Sequence, residues 1–337
     1  MKRKIIALCT IFLLTIPSSL LARELSGTLT MQFDLNAPQD ARQVRLWIPY
    51  PLSDRNQTIE NVKVSGNFVS SAVYREGENG NVFLYAEWNV PAKERKLTYS
   101  FDVTRKEVIT KNFPEKELPY SKDEFSRYLK ATTDDPASGE VKQLAENITK
   151  GKKTNLEKAR SIYDWTVNNM YRDNNVKGCG IGNVGRLLID RGGKCGDIHS
   201  VFLALSRSAG VPTRDVWGLR LAKGKDKDIT KFQHCWVEFY APGYGWVVAD
   251  PADVRRAMLA KNTKDVKDVT DLVEYYFGGV DEIRLAYYEG RDILLNPSQS
   301  GERLSYIMYP YAEADGKPLN EDLYGFNIGY KIMFSEK

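Results

Sequence analysis

Histidine is almost missing from this 337-residue chain: there are two, His199 and His234, beside 48 basic and 44 acidic side chains. Any imidazole chemistry therefore falls to one of two positions. Cysteine is scarce too, four in all, and Cys9 lies in the first, apolar stretch. The other three, Cys179, Cys195 and Cys235, are too few to staple a chain of this size, so a hydrophobic core has to hold the fold. Long apolar runs are also lacking. Lys2, Arg3 and Lys4 precede an apolar run over residues 5–16, too short to span a bilayer, and nothing later approaches a spanning length. Residues 1–22 read as a secretory signal peptide with cleavage after Ala22, so the mature protein is expected in the periplasm or outside the cell, without a transmembrane anchor. Charge of one sign is missing as well. The formal net charge is +4, three units of it from the leader, which leaves about +1 on the mature chain. That excludes a general nucleic-acid or polyanion binder.

Two familiar motifs lack the context they need. Gly180-Ile181-Gly182-Asn183-Val184-Gly185 spells the dinucleotide fingerprint, but it follows a polar stretch, residues 171–177, and no βαβ unit surrounds it. It reads as a glycine-rich loop running near Cys195. The charged segment 223–228 has no calcium-loop spacing and reads as a solvated tip. No cofactor is expected.

What is present is one ordered set of reactive side chains. Gly192 and Gly193 break the chain, and Ile198, Val201, Phe202 and Leu205 then recur at helical spacing until Gly210-Val211-Pro212 stops the helix. Cys195 sits at the start of that helix, where unpaired N–H groups and the macrodipole favour a thiolate. Asp197, in the first turn, reads as a helix-start carboxylate.

His234 lies in a run rich in aromatic and β-branched residues (232–240), and Asp250 directly follows a second one (245–249). Ala241-Pro242-Gly243-Tyr244 between them is a turn sequence, so the pair reads as a β-hairpin. If Phe239 pairs with Gly245 across a five-residue loop, His234 falls directly opposite Asp250, with Cβ atoms roughly 5 Å apart. A carboxylate there can hold the imidazole for work on a thiol. His199 is the alternative base, but it lies four residues after Cys195 on the same helix face, where side chains point the same way, and it reads as a packed or supporting residue. Cys235, next to His234 on a strand, is expected to point away from the site as a small buried hydrophobe, with no disulfide formed.

Along the chain, residues 23–108 alternate like short antiparallel strands (Leu29, Met31, Phe33, Leu35; Leu97, Tyr99, Phe101, Val103) and suggest an N-terminal β-sandwich. Residues 109–155 read as a helical linker. A helix from about residue 156 to 170 stacks Ala159, Ile162, Tyr163 and Thr166. Trp165 beside it and Tyr171 after it are oxyanion-donor candidates, with core packing the plainer reading. Residues 156–280 form the core, and 281–337 return to strands as a C-terminal β extension, Phe326, Ile328, Tyr330, Ile332 and Phe334 alternating.

The stretch over residues 155–255 resembles the transglutaminase-like superfamily: Gly-Gly-Lys-Cys opening a helix, Ala-Gly-Val-Pro-Thr-Arg stepping into a strand, then the histidine and aspartate strands. The resemblance implies an α+β fold, a papain-like core with a helical part packed on an antiparallel sheet, preceded by the β-sandwich. It implies Cys195 as nucleophile, His234 as general base and acid, and Asp250 as the orienting carboxylate of a thiol enzyme acting on amide bonds through a thioester. Cross-linking members carry Gly-Gln-Cys-Trp at the nucleophile. Here the run is Gly193-Lys194-Cys195-Gly196, which points toward a cysteine peptidase or amidase working on a peptide or protein, in the cell envelope if exported. The alternatives are acyl transfer to an amine, a non-catalytic binding module on the same fold, and a metal site built from Cys195, His199, His234 and Cys179 or Cys235.

Overall fold

A computed structural model describes residues 22–114, 116–134, 139–320 and 327–337. Residues 1–21 of the expected signal peptide, and Phe326, lie outside these described residues. Strict alternation of apolar and polar side chains makes Glu24–Asp34 and Lys96–Lys106 strands with one buried face. They pair antiparallel with Leu29 opposite Phe101, Met31 opposite Tyr99 and Phe33 opposite Leu97. A second sheet holds Val44–Pro49 between Tyr311–Ala314 and Val82–Trp88. Both sheets have five strands, and their facing apolar sides make a sandwich.

The C-terminal strand Tyr330–Glu336 is built into this sandwich beside Glu24–Asp34, with Phe334 opposite Leu29 and Ile332 opposite Met31. The sandwich therefore takes strands from both the N-terminal and the C-terminal parts of the described residues. Between them lies a four-stranded antiparallel sheet in the order Gly245–Ala249, Gln233–Ala241, Thr213–Arg220, Arg284–Glu289. The helix Cys195–Ser208 packs across it and is buried over almost its whole length. This is the α+β arrangement expected.

The helix Asn155–Asn169 packs its Ala159, Ile162, Tyr163 and Thr166 face into the core. Its start is a capping box: the Thr154 side chain accepts the Glu157 N–H at 3.1 Å, and Glu157 accepts the Thr154 N–H at 3.0 Å. Thr154→Ala removes half of this exchange and should lower stability by about 1 kcal/mol in a urea melt. An unchanged midpoint would show that tertiary packing alone sets this terminus.

Candidate active site

The cysteine helix starts at Cys195 because the two residues before Lys194 are tied down. Gly192–Gly193 pairs in parallel with Tyr171–Arg172. Asp197 accepts the N–H of Lys194 at 3.0 Å and the N–H of Gly182 at 2.9 Å. One carboxylate thus fastens the glycine-rich loop to the helix start, as a first-turn acid can. A Cβ on Gly180 or Gly193 would overlap the Asp197 side chain, so both positions need glycine. The loop crosses the nucleophile's end of the helix, where the Gly196 N–H donates to the Cys179 carbonyl at 2.8 Å. Ala209 and Gly210, the latter at φ 77°, then end the helix before Val211-Pro212.

The hairpin differs from the expected register. Ala241, not Phe239, pairs with Gly245, and Val237 pairs with Ala249. Pro242 and Gly243 cause this: Tyr244 donates to the Ala241 carbonyl at 2.9 Å and Gly243 has φ 89°, a turn with Pro then Gly at its centre. The tighter turn extends the histidine strand's ladder by two residues, Tyr240 and Ala241, and leaves a three-residue loop. A slip of two keeps every side chain on its face, because the strand period is two. Asp250 therefore still shares His234's face, but as the cap of helix Pro251–Ala260, where it also accepts the Asp253 N–H at 2.9 Å.

His234 Nε2 lies 2.8 Å from Asp250 Oδ2. His199 reaches the same carboxylate, its Nε2 3.1 Å from Oδ1, while its Nδ1 lies 3.2 Å from Cys235 Sγ. Asp250 is thus shared by both histidines of the chain. Arg284 adds a third contact at 2.6 Å and also pairs with Asp253, which a two-pronged Arg220 holds at 2.8 and 2.5 Å. Burial pushes the Asp250 carboxyl up, but the neighbouring charges of His234 and Arg284 and the two imidazole bonds hold it well below the usual carboxylate range.

Cys235 does not point away from the site, contrary to the strand argument. Alternation does send it to the helix side with Val237 and Phe239. The helix start lies over that end of the strand, so Cys235 and His234 both come within reach of Cys195. Hydrogen bonds from Cys179, then Cys235, then His234 draw the Cys195 thiol well below the usual range against burial. The companions move the other way, Cys179 through its bond to Cys195 and Cys235 chiefly through burial. All three thiols are unbridged.

A cavity of about 380 Å³ opens onto Cys195, His234, Cys179, Gln233 and Tyr309. Neither His199, Cys235, Trp165 nor Tyr171 lines it. Trp165 instead packs beneath the Arg191 guanidinium at 4.8 Å, and Tyr171 is exposed. Among the described residues, the three thiols and two imidazoles do not bring three donor atoms within 4.8 Å of one another; His234, Asp250 and Asp253 do. Arg284 and Arg220 already neutralise that trio, which fits an ion-pair network better than a metal. Sequence reasoning missed Arg284, Arg220 and Asp253 entirely, and no local pattern marks them.

Residues 142–251 match a family described as the transglutaminase-like superfamily. An uncharacterised protein of Haemophilus influenzae is 35% identical over 320 residues, 86% of each chain. YebA, an uncharacterised protein of Bacillus subtilis, is 27% identical over 62% of this chain and 29% of its own length. Among solved structures, a Cytophaga hutchinsonii protein provisionally assigned as a cysteine protease superposes with a TM-score of 0.55 at 14% identity, covering 93% of this chain and 99% of that one. At that identity the likeness establishes the fold alone.

Proposed function

This chain belongs to the transglutaminase-like superfamily, and from that premise we propose a thiol enzyme that opens amide bonds, with Cys195 as nucleophile, His234 as general base and acid, and Asp250 as the orienting carboxylate. One observation carries the reading: a thiol depressed by its hydrogen bonds shares a cavity with an imidazole whose far nitrogen is fixed on a buried carboxylate. With Nε2 on Asp250, Nδ1 is the nitrogen left to serve the thiol. Cys195 Sγ attacks the carbonyl, the oxyanion forms against the free Cys195 N–H at the helix start, and His234 protonates the departing amine. Water then opens the thioester with His234 as base.

Cys235, His199 and Asp250 form a second thiol–imidazole–carboxylate set. Access decides between the two sets. Cys235 and His199 are both 0% exposed and off the cavity, whereas Cys195 and His234 line it. Hydrolysis is favoured over transfer by Gly193-Lys194-Cys195-Gly196, which lacks the Gln and Trp of cross-linking members. Ammonia or cleaved peptide released without added amine supports this; strict dependence on a primary amine overturns it. An export leader goes with the reading, and a mature N-terminus at Arg23 in the periplasmic or culture fraction would test it.

The depressed thiol has a direct consequence. Iodoacetamide should label Cys195 well below the pH that a free thiol of pKa about 8.5 requires. His234→Ala and Cys179→Ala should each move that profile upward, since both groups bond the thiolate. A profile like that of free cysteine in the unmodified protein would show that the thiol is not depressed in the resting enzyme.

A further inference from the structure

The walls of the cavity are charged in one sense. Arg172, Lys194, Arg220, Lys231 and Arg256 line it, and no carboxylate does. The mature chain is near neutral, so this concentration is local and not a reflection of composition. The two carboxylates beneath, Asp250 and Asp253, are matched by Arg284 and Arg220. Arg172, Lys194 and Lys231 have no carboxylate within 4.0 Å among the described residues, and Arg256 only skirts Asp253 at 3.6 Å with its side chain 54% exposed. The bases come from both halves of the site. Arg172 and Lys194 flank the cysteine's approach, on Tyr171–Arg172 and at the helix cap. Lys231 precedes the histidine strand, and Arg256 sits on the helix that Asp250 caps.

Three unmatched cations and a loosely held fourth are more than the thiol needs, because Cys179, Cys235 and His234 already hydrogen-bond to it. We infer that the cleft selects an anionic peptide: an acyl donor carrying side-chain or terminal carboxylates beside the scissile amide. Peptides present their negative charge as carboxylates, which ammonium and guanidinium groups bind in a partly enclosed cleft and steer from solution. The inference rests on the proposed role of Cys195, and its test keeps the two apart.

Alkylation of Cys195 is measured with anionic iodoacetate and neutral iodoacetamide, in the unmodified protein and in Lys231→Glu/Arg256→Glu, at low and high salt. The ratio of the two rates cancels changes in thiol pKa. It should fall about tenfold in the double variant, and toward the same value in high salt. The milder Lys231→Gln/Arg256→Gln should fall between, which guards against a misfolded reversal variant. Matched Ala-Glu-Ala and Ala-Gln-Ala chloromethyl ketones then test peptides, the Glu probe being expected to inactivate about tenfold faster until the charges are reversed. Equal rates for the two ketones, or a ratio indifferent to charge and salt, overturns the anionic-peptide assignment. Failure of every reagent to modify Cys195 instead overturns the nucleophile.

Discussion

Cys195→Ala is expected to lose turnover by at least about ten-thousand-fold while remaining folded, and His234→Ala by a comparable factor. The double variant should be no worse than either single one, because nucleophile and base act as a unit. Asp250→Ala should cost less through orientation, yet it also takes one partner each from His199 and Arg284, so its melt has to be read alongside its rate. His199→Ala is the discriminating case. His199 faces Asp250 and Cys235 and lies off the cavity, so its loss should slow the enzyme modestly by loosening Asp250. Initial rates on a substrate check all five variants, and inactivation rates with a chloromethyl ketone check the three that keep Cys195. Full activity in His234→Ala with loss in His199→Ala would transfer the base to the buried set.

Arg284→Met should be the most destabilising single change near the site, costing about 3–5 kcal/mol at pH 8 in a denaturant melt. The guanidinium is completely buried and holds Asp250 and Asp253 together, so its removal strands buried negative charge. The pH dependence follows from the sign of each shift. In the unmodified protein both carboxyls are depressed, so their contribution is present above the unfolded carboxyl pKa of about 3.9 and is lost as pH falls through the lower folded value. In the variant the folded carboxyls move upward, so the penalty is full at high pH and shrinks as they take up protons. The gap between the two proteins should therefore narrow from pH 8 toward pH 4. A constant gap would mean that the cost is packing alone. Arg284→Lys keeps one charge without the fork and should recover only part of the loss.

Much of this architecture is written in short-range patterns. The period-two runs around Leu29 and Phe101, the capping box at Thr154 and the Gly-Val-Pro stop after the cysteine helix each depend on neighbours a few residues apart. The order of Cys195, His234 and Asp250 was legible for the same reason: a helix start, a strand and a turn are local structures. The hairpin shows where such reading fails. Pro242-Gly243 imposed a tighter turn than the assumed loop, and the two-residue slip was harmless only because parity survived.

By itself the sequence determined the alternating strands of the sandwich, the helix after Thr154, the histidine hairpin and which cysteine stands at a helix start, because backbone propensity and the cost of exposing apolar faces act locally. Only the tertiary structure decided that Tyr330–Glu336 would join the sandwich beside Glu24–Asp34. It alone brought Arg284, 34 residues beyond Asp250, under that carboxylate, joined both histidines to it, and turned Cys235 toward the nucleophile. The physical reason is the same in each case. A buried carboxylate must find compensating charge and a strand edge must find a partner, and those needs are met by whatever the fold brings near, at sequence separations that leave no local trace.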